Sequence, residues 1–422
     1  MTARRRNRFQ TKATESINLI QRDHIEVRGQ HMSNIPSYDV DLFTDDALAE
    51  PYDHYRAIRD LGPVVHLGAH DMLAVSRYAE VRGVLGDPAT YCSGEGVGLN
   101  EVVNGLFKGN TLMSDGELHR TQREVVGRPL TPKALADLQP EVQELANELV
   151  ARVVTQGSFD AVTELAQPIP TTWVPDLLGW PSEARKHLLD WANASFDSLG
   201  PLNDRGIAAG GQLAEMFKFA KEIAERGGLP KGSFAANVLD AAVKGEITKE
   251  QCPVLLTGYL APSLDTTISA IGNAVWLFAT NPDQWDLLRE NPARVKNAFN
   301  EAIRLESPIS CFSRVATVAA ELGGVEVPEG ARMLVMYASA NRDERRWDRA
   351  DEFDITREVS SHLGFGHGVH ACAGMGLARM EGIAVLSALV ARVEKIELGT
   401  PVRKLNNLIR AFASLPVRVT AA

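Results

Sequence analysis

Long apolar runs are missing from this 422-residue chain: no stretch of about 18 uninterrupted apolar residues occurs, so no helical membrane span is expected. Cysteine is scarce. Cys92, Cys252, Cys311 and Cys372 lie far apart, which does not read as a disulfide scaffold and makes a reducing cytoplasm the expected setting. Basic stripes are missing beyond the first dozen residues, MTARRRNRFQTK, and the net charge is -10, so nucleic acid is not an expected partner. That basic start has no apolar core of a secretory signal. It reads as a flexible extension rather than a targeting segment. No internal repeat is evident. No regular strand–helix alternation is present either, which argues against a doubly wound parallel sheet.

What is present is mostly helical. Apolar residues recur at three- and four-residue spacing over 131–156, 293–307 and 377–393. Strand-like runs are short: GPVVHLG and MLAVSR before residue 80, and an alternating, turning stretch over 315–343. The expectation is an α+β fold, mainly α with small β-sheets, in one domain over residues 38–422, preceded by a flexible segment over 1–37. One helical run, KEQCPVLLTGYLAPSLDTTISAIGNAVWLFATN, carries Pro262 in its middle and Asp265, Thr266 and Thr267 soon after. A proline inside a helix costs about 3 kcal/mol or more. Its missing N–H would leave the Gly258 carbonyl without a partner, and the widened turn would be open to water or to the Thr266 hydroxyl.

The stretch LGFGHGVHACAGMGLARMEGIAVL holds one cysteine among glycines, just before a strong helix. Glycines permit tight turns, and the free N–H groups of a helix start favour a thiolate. A lone thiolate suits an axial metal ligand. It does not suit zinc, because no second Cys or His stands at a spacing that closes a tetrahedral site; His367 and His370 would both have to fold inward with it.

Phe365, Gly366, Gly368, His370, Cys372 and Gly374 together resemble the haem-binding signature of the cytochrome P450 family. Three further stretches agree with it. Glu301 and Arg304 of EAIRLESP resemble the family's Glu-x-x-Arg pair, with Arg357 as its third member. His119 and Arg123 of LHRTQR, and Arg314 of SRVAT, resemble the groups that hold the haem propionates. The resemblance implies a single haem domain, haem b with Cys372 as axial ligand of the iron, and monooxygenase activity with O2. It assigns proton and oxygen handling to Asp265 and Thr266, and Glu301 and Arg304 are grouped with this catalytic set. With no flavin or iron–sulfur segment in the chain, it also implies electrons from a separate ferredoxin and ferredoxin reductase, docking near Cys372 beside Arg379. A peroxide-driven enzyme of the same fold and a non-catalytic haem sensor are the alternatives; turnover coupled to NADH separates them.

Within the family the chain is similar to bacterial enzymes that oxidise small para-substituted aromatics, including the 4-methoxybenzoate O-demethylases. The likeness is carried by stretches such as RYAEVRGVLGDPATYCSGEGVGLNE and SLDTTISAIGNAV. It implies a substrate pocket containing Glu95, Val97, Asn100, Phe196, Leu199, Ala261, Ile309 and Phe312. The relatives' carboxylate clamp is largely absent: Glu95 stands where they carry arginine, Asn100 where they carry serine, and Thr257, Gly258 and Ala261 replace further clamp residues. The head group is therefore neutral or cationic with Glu95 as partner, or an anion such as carboxylate or phosphate held by N–H groups around Gly96, Val97 and Gly98. The third option is that Glu95 faces solvent and carries no information.

Overall fold

The computed structural model describes residues 35–260 and 262–422. The helices that build the site are α1 (Gly116–Gly127), α2 (Gln139–Gln156), α3 (Leu188–Leu199), α4 (Cys252–Leu260), α5 (Asp265–Thr280), α6 (Val295–Leu305) and α7 (Met375–Val390). The strands are short: β1 (Ser37–Tyr38), β2 (Val65–Leu67), β3 (Met72–Val75), β4 (Tyr91–Cys92), β5 (Ser158–Asp160), β6 (Phe312–Ala316), β7 (Ala320–Leu322), β8 (Val325–Val327), β9 (Arg332–Val335), β10 (Val393–Leu398), β11 (Val402–Lys404), β12 (Ala411–Ser414) and β13 (Pro416–Ala421). The expected mainly helical fold with minor sheet is observed.

The largest sheet runs β1-β2-β3-β9-β6-β4. Its first strand falls partly inside the expected flexible segment: Ser37 pairs with His66, and Ile35 is buried. Residues 1–34 lie outside the described residues. A second sheet, β10-β13-β5, and the pairs β11-β12 and β7-β8 complete the strands. The stretch over 315–343 forms β6 to β9 as its alternation suggests, but Tyr337–Ala340 closes into a helical turn.

α5 is the centre of the helical layer. Twelve of its residues, from Asp265 to Phe278, are buried, and α6 and α7 both pack on it. α6 and α7 meet at Gly382, where a Cβ would come within 2.0 Å of the Phe299 ring, so only glycine allows that approach. α2 lies along the other side of α7. The run that reads as one long helix is two helices. α4 ends at Leu260, residues 262–264 form a turn, and α5 starts at Asp265. Pro262 has no N–H to give to Gly258, so the break falls where the missing donor requires it.

Candidate active site

The cysteine loop is set by backbone geometry. Gly366 and Gly368 both have φ of 71°, a left-handed conformation that favours glycine. A Cβ at Gly368 would lie 2.3 Å from the Leu85 carbonyl oxygen. The Cys372 N–H then donates to the Phe365 carbonyl at 2.8 Å, which fixes the cysteine beneath the turn, and Gly374 leads into α7. His370 turns toward Asp115, with Nε2 3.4 Å from Oδ1, and His367 packs beside Gly86, so the two histidines do not converge on the sulfur.

Cys372 opens onto an internal cavity of about 330 Å³ and is exposed through it, whereas Cys92, Cys252 and Cys311 are buried. Burial pushes the Cys372 thiol up, outweighing the N–H groups of Gly374 and Met375 and the guanidinium groups of Arg123 and Arg379. The N–H groups of the helix start still act in the direction that the sequence suggests, toward the thiolate. A metal cation at the sulfur would complete the ionisation.

Cationic groups gather around the same cavity. Arg123, Arg314 and His370 line it. Arg314 is 3% exposed, and its Nη1 donates to the Ser313 carbonyl at 2.8 Å. Arg123 donates to the Ala371 carbonyl at 2.5 Å. The His119 and His370 rings lie 4.1 Å apart, and His119 Nε2 is buried without a partner. Burial, His370 and Arg123 together push His119 down to about 4. Two arginines and a histidine at one cavity wall, with the orphaned ring nitrogen of His119 beside that histidine, match a ligand bearing carboxylates, and the lone sulfur matches its metal. The residues present fit haem: His119, Arg123, Arg314 and His370 would hold the propionates, and Phe365, Cys372 and Gly374 the ring and iron. Arg379 lies over the Phe365 ring at 4.8 Å.

Of the catalytic pair, only Thr266 reaches the cavity. Its hydroxyl donates to the Pro262 carbonyl at 2.8 Å rather than to Gly258. Asp265 is 4% exposed, lies off the cavity wall, and accepts from Lys404 Nζ at 3.0 and 2.9 Å. Ser263 lines the cavity with its hydroxyl bonded to the Tyr259 carbonyl at 2.5 Å.

Glu301 and Arg304 are not at the cavity, which corrects their place among the catalytic residues. Both side chains have 0% exposure, with bonds of 2.7 and 2.8 Å between them. Arg357 reaches Glu301 at 3.1 Å as the expected third member, and Arg304 donates to the carbonyls of Asn341, Ala350 and Glu352. The network pins the 341–357 segment to α6. Its role is structural.

The pocket divides. Phe196, Leu199, Ile309 and Phe312 line the cavity, as do Thr257 and Gly258. Ala261 lies outside the described residues. Glu95 is exposed to solvent, and its carbonyl accepts from Arg332. Val97 is fully buried in the core. Asn100 caps the helix Glu101–Phe107 and donates to Ser198 and Gly200, so its polar atoms are occupied structurally. Gly96 N–H donates to Ser93 and Gly98 N–H to Asn104, so these do not form an anion nest. These three pocket assignments are corrected because the loop after β4 folds on itself, on Arg332 and on the end of α3. Sequence reasoning missed Asp115, Lys404 and Glu381, and it gave Thr267 no role at the cavity. Asp115 had a signal, an acid four residues before His119; the lysine, 139 residues from its partner, had none.

A lone thiol opening onto a cavity whose wall is basic and carboxylate-seeking, on a helical fold with small sheets, defines a haem–thiolate protein. A cytochrome P450 family model matches residues 211–418. Cytochrome p450 CYP199A2 of Rhodopseudomonas palustris is 38% identical over 403 residues, 93% of this chain and 97% of that protein. A steroid C26-monooxygenase of Rhodococcus jostii is 30% identical, covering 86% of this chain and 81% of its own. The crystal structure of CalO2 superposes with a TM-score of 0.78 at 30% identity, covering 90% and 99% of the two chains. The chain belongs to the cytochrome P450 family, and it is a haem-dependent monooxygenase with Cys372 as the axial ligand. Among the described residues no helix is long and apolar enough to cross a membrane.

Proposed function

We propose that the enzyme inserts one oxygen atom from O2 into a small, uncharged para-substituted aromatic compound, by hydroxylating an alkyl group or by oxidative O-demethylation. Electrons come from a separate ferredoxin and its reductase, and the setting is degradation of aromatic compounds in the cytoplasm. The observation that carries the reading is the apolar wall of Phe196, Leu199, Ile309 and Phe312 in the cavity onto which Cys372 opens. Phe312 lies edge-on to Tyr337, centroids 6.1 Å apart, and flat walls of this kind hold one ring and aim its substituent.

When bound, a thiolate-ligated haem supplies the oxygen chemistry, its sulfur favouring O–O cleavage. The chain supplies the surroundings. Thr266 commits its proton to the Pro262 carbonyl and so offers lone pairs to a donor in the cavity. Asp265, held by Lys404, acts on protons only after that ion pair opens. An uncharged head group is favoured because Arg123 and Arg314, the arginines of the described cavity wall, are matched to the propionates.

Spin-shift titration of the haem-loaded protein with para-cresol, para-methoxybenzoate and para-tolyl phosphate tests the head group. Para-cresol is expected to bind most tightly, and a lead for either anion overturns the uncharged reading. The haem assignment predicts a red-shifted ferrous–CO band that Cys372→Ala abolishes; a histidine-type spectrum from the native protein contradicts it.

A further inference from the structure

Asn110 sits in the tight loop that leads into α1. Gly109 takes a φ of 80°, its N–H donates to the Met113 carbonyl at 3.2 Å, and Asn110 Oδ1 accepts from the Met113 N–H at 2.7 Å. Gln122 on α1 fixes the loop, its Nε2 donating to the Gly109 carbonyl at 2.7 Å. These contacts decide which way the Asn110 amide points. The Met113 N–H needs an acceptor, so the amide oxygen must face it and the amide nitrogen must face away.

Asn110 lines the cavity and is only 8% exposed, so its two N–H donors meet that space rather than bulk solvent. They make no hydrogen bond among the described residues. Every other buried asparagine described gives its amide nitrogen to a protein oxygen. The neighbouring Thr111 lines the same space, and its hydroxyl is likewise without a partner among the described residues. A buried donor left unmet costs free energy, so a site with such a donor prefers a ligand that brings an oxygen over a matched ligand that lacks one. Arg123 and Arg314 are matched to the propionates, and Thr266 offers lone pairs rather than a proton. The amide donates without bringing charge, which suits a neutral acceptor.

We propose that Asn110 is the head-group residue of the substrate site: its Nδ2 donates to an uncharged oxygen, a hydroxyl or a carbonyl, carried para to the group that is oxidised. The proposal rests on the aromatic reading above and narrows it. A ring without oxygen at that end leaves the donor unmet. An ammonium head group, which has no lone pair to accept with, gains nothing from it.

Spin-shift titrations of the haem-loaded protein with para-cresol, para-methylacetophenone and para-xylene test it. The three share the ring and a methyl group and differ in the head group. In the native protein both oxygen-bearing compounds should bind more tightly than para-xylene. In Asn110→Leu both should lose about 2- to 10-fold in affinity, the worth of one neutral hydrogen bond, while para-xylene is unaffected. Asn110→Ser keeps an oxygen that can accept from Met113, as serine does in turns of this kind, but brings no nitrogen to the cavity. It should show the same loss, and it decides if the leucine variant fails to take up haem. An equal loss for all three compounds overturns the proposal, because Asn110 then serves only the loop or the haem seat. Unchanged affinities in both variants overturn it too. Failure of the aromatic reading would show separately, as a native protein whose spin state none of the three compounds shifts, and the proposal falls with it.

Discussion

Glu301 accepts from Arg304 and Arg357 with no solvent to share the charge. A pair so placed is weak as a source of net stability, because both ions are desolvated, but removing one partner leaves the other uncompensated and costs about 3–5 kcal/mol. Glu301→Gln should therefore lower the melting temperature by several degrees and weaken haem retention, with the spin shift of the molecules that still hold haem unchanged. Haem content after purification and a thermal melt check this, and a loss of turnover with full stability would restore the catalytic assignment. His362 makes a second prediction. Burial, with Arg379 and Arg304 adding to it, pushes the imidazole down to about 3 from an unfolded value of 6.5. The native state refuses a proton that the unfolded chain takes up, so stability is full above about pH 6.5 and falls as the pH drops toward 3. The slope is about 1.4 kcal/mol per pH unit. Melts between pH 7 and 5 should show this slope, and His362→Gln should flatten it.

At the scale of elements, the break between α4 and α5 decides what the oxygen side of the cavity offers. Pro262 could be read as a breaker from its missing N–H alone. Thr266 bonds back to the i−4 carbonyl, that of Pro262, as a threonine in a helix commonly does. Asp265 was legible as an acid within the helical run, and the structure puts it at a helix start, a position that the helix dipole favours. Its partner was not, since β11 reaches it from the far end of the sequence. Lys404 is partly exposed and Asp265 almost wholly buried, so Lys404→Met should cost about 1–3 kcal/mol, less than a fully buried pair would. Product formation should slow while substrate affinity holds, because the orphaned carboxylate no longer has a fixed place. Equal turnover in the variant, measured with native-like melting, would remove Asp265 from the proton path.

The haem ligand, its loop and the cationic wall were readable because backbone demands and ligand chemistry fix residue types at fixed spacings. The loop holding Glu95, Val97 and Asn100 was not, because those residues answer to Arg332, Ser313 and Ser198, partners that spacing does not reveal. The same holds for the charge cluster that ties the whole molecule together. Glu306, at the end of α6, is 1% exposed. It accepts from Arg342 at 2.8 Å, Arg410 at 3.1 Å and Arg403 at 3.3 Å. Burial would raise this acid, but the three arginines, Arg410 foremost, hold it below the usual carboxylate range. Arg410 also donates to the Leu48 and Ala49 carbonyls, and Arg342 stacks on Tyr52 at 3.6 Å, so one carboxylate joins the N-terminal, central and C-terminal parts of the described chain. Arg342 keeps Asp351 as a second anion, while Arg403 has only the rings of Trp276 and Phe412 and one Nη1 already without a partner. Glu306→Gln should thus strand Arg403 and cost about 3–5 kcal/mol, seen as a lower melting temperature and earlier haem loss in urea. In an Arg403→Met background the same change should cost measurably less, because the stranded cation is gone and the two sites are coupled. Equal costs in the two backgrounds would mean that the arginines hold their places through carbonyl and ring contacts, not through Glu306.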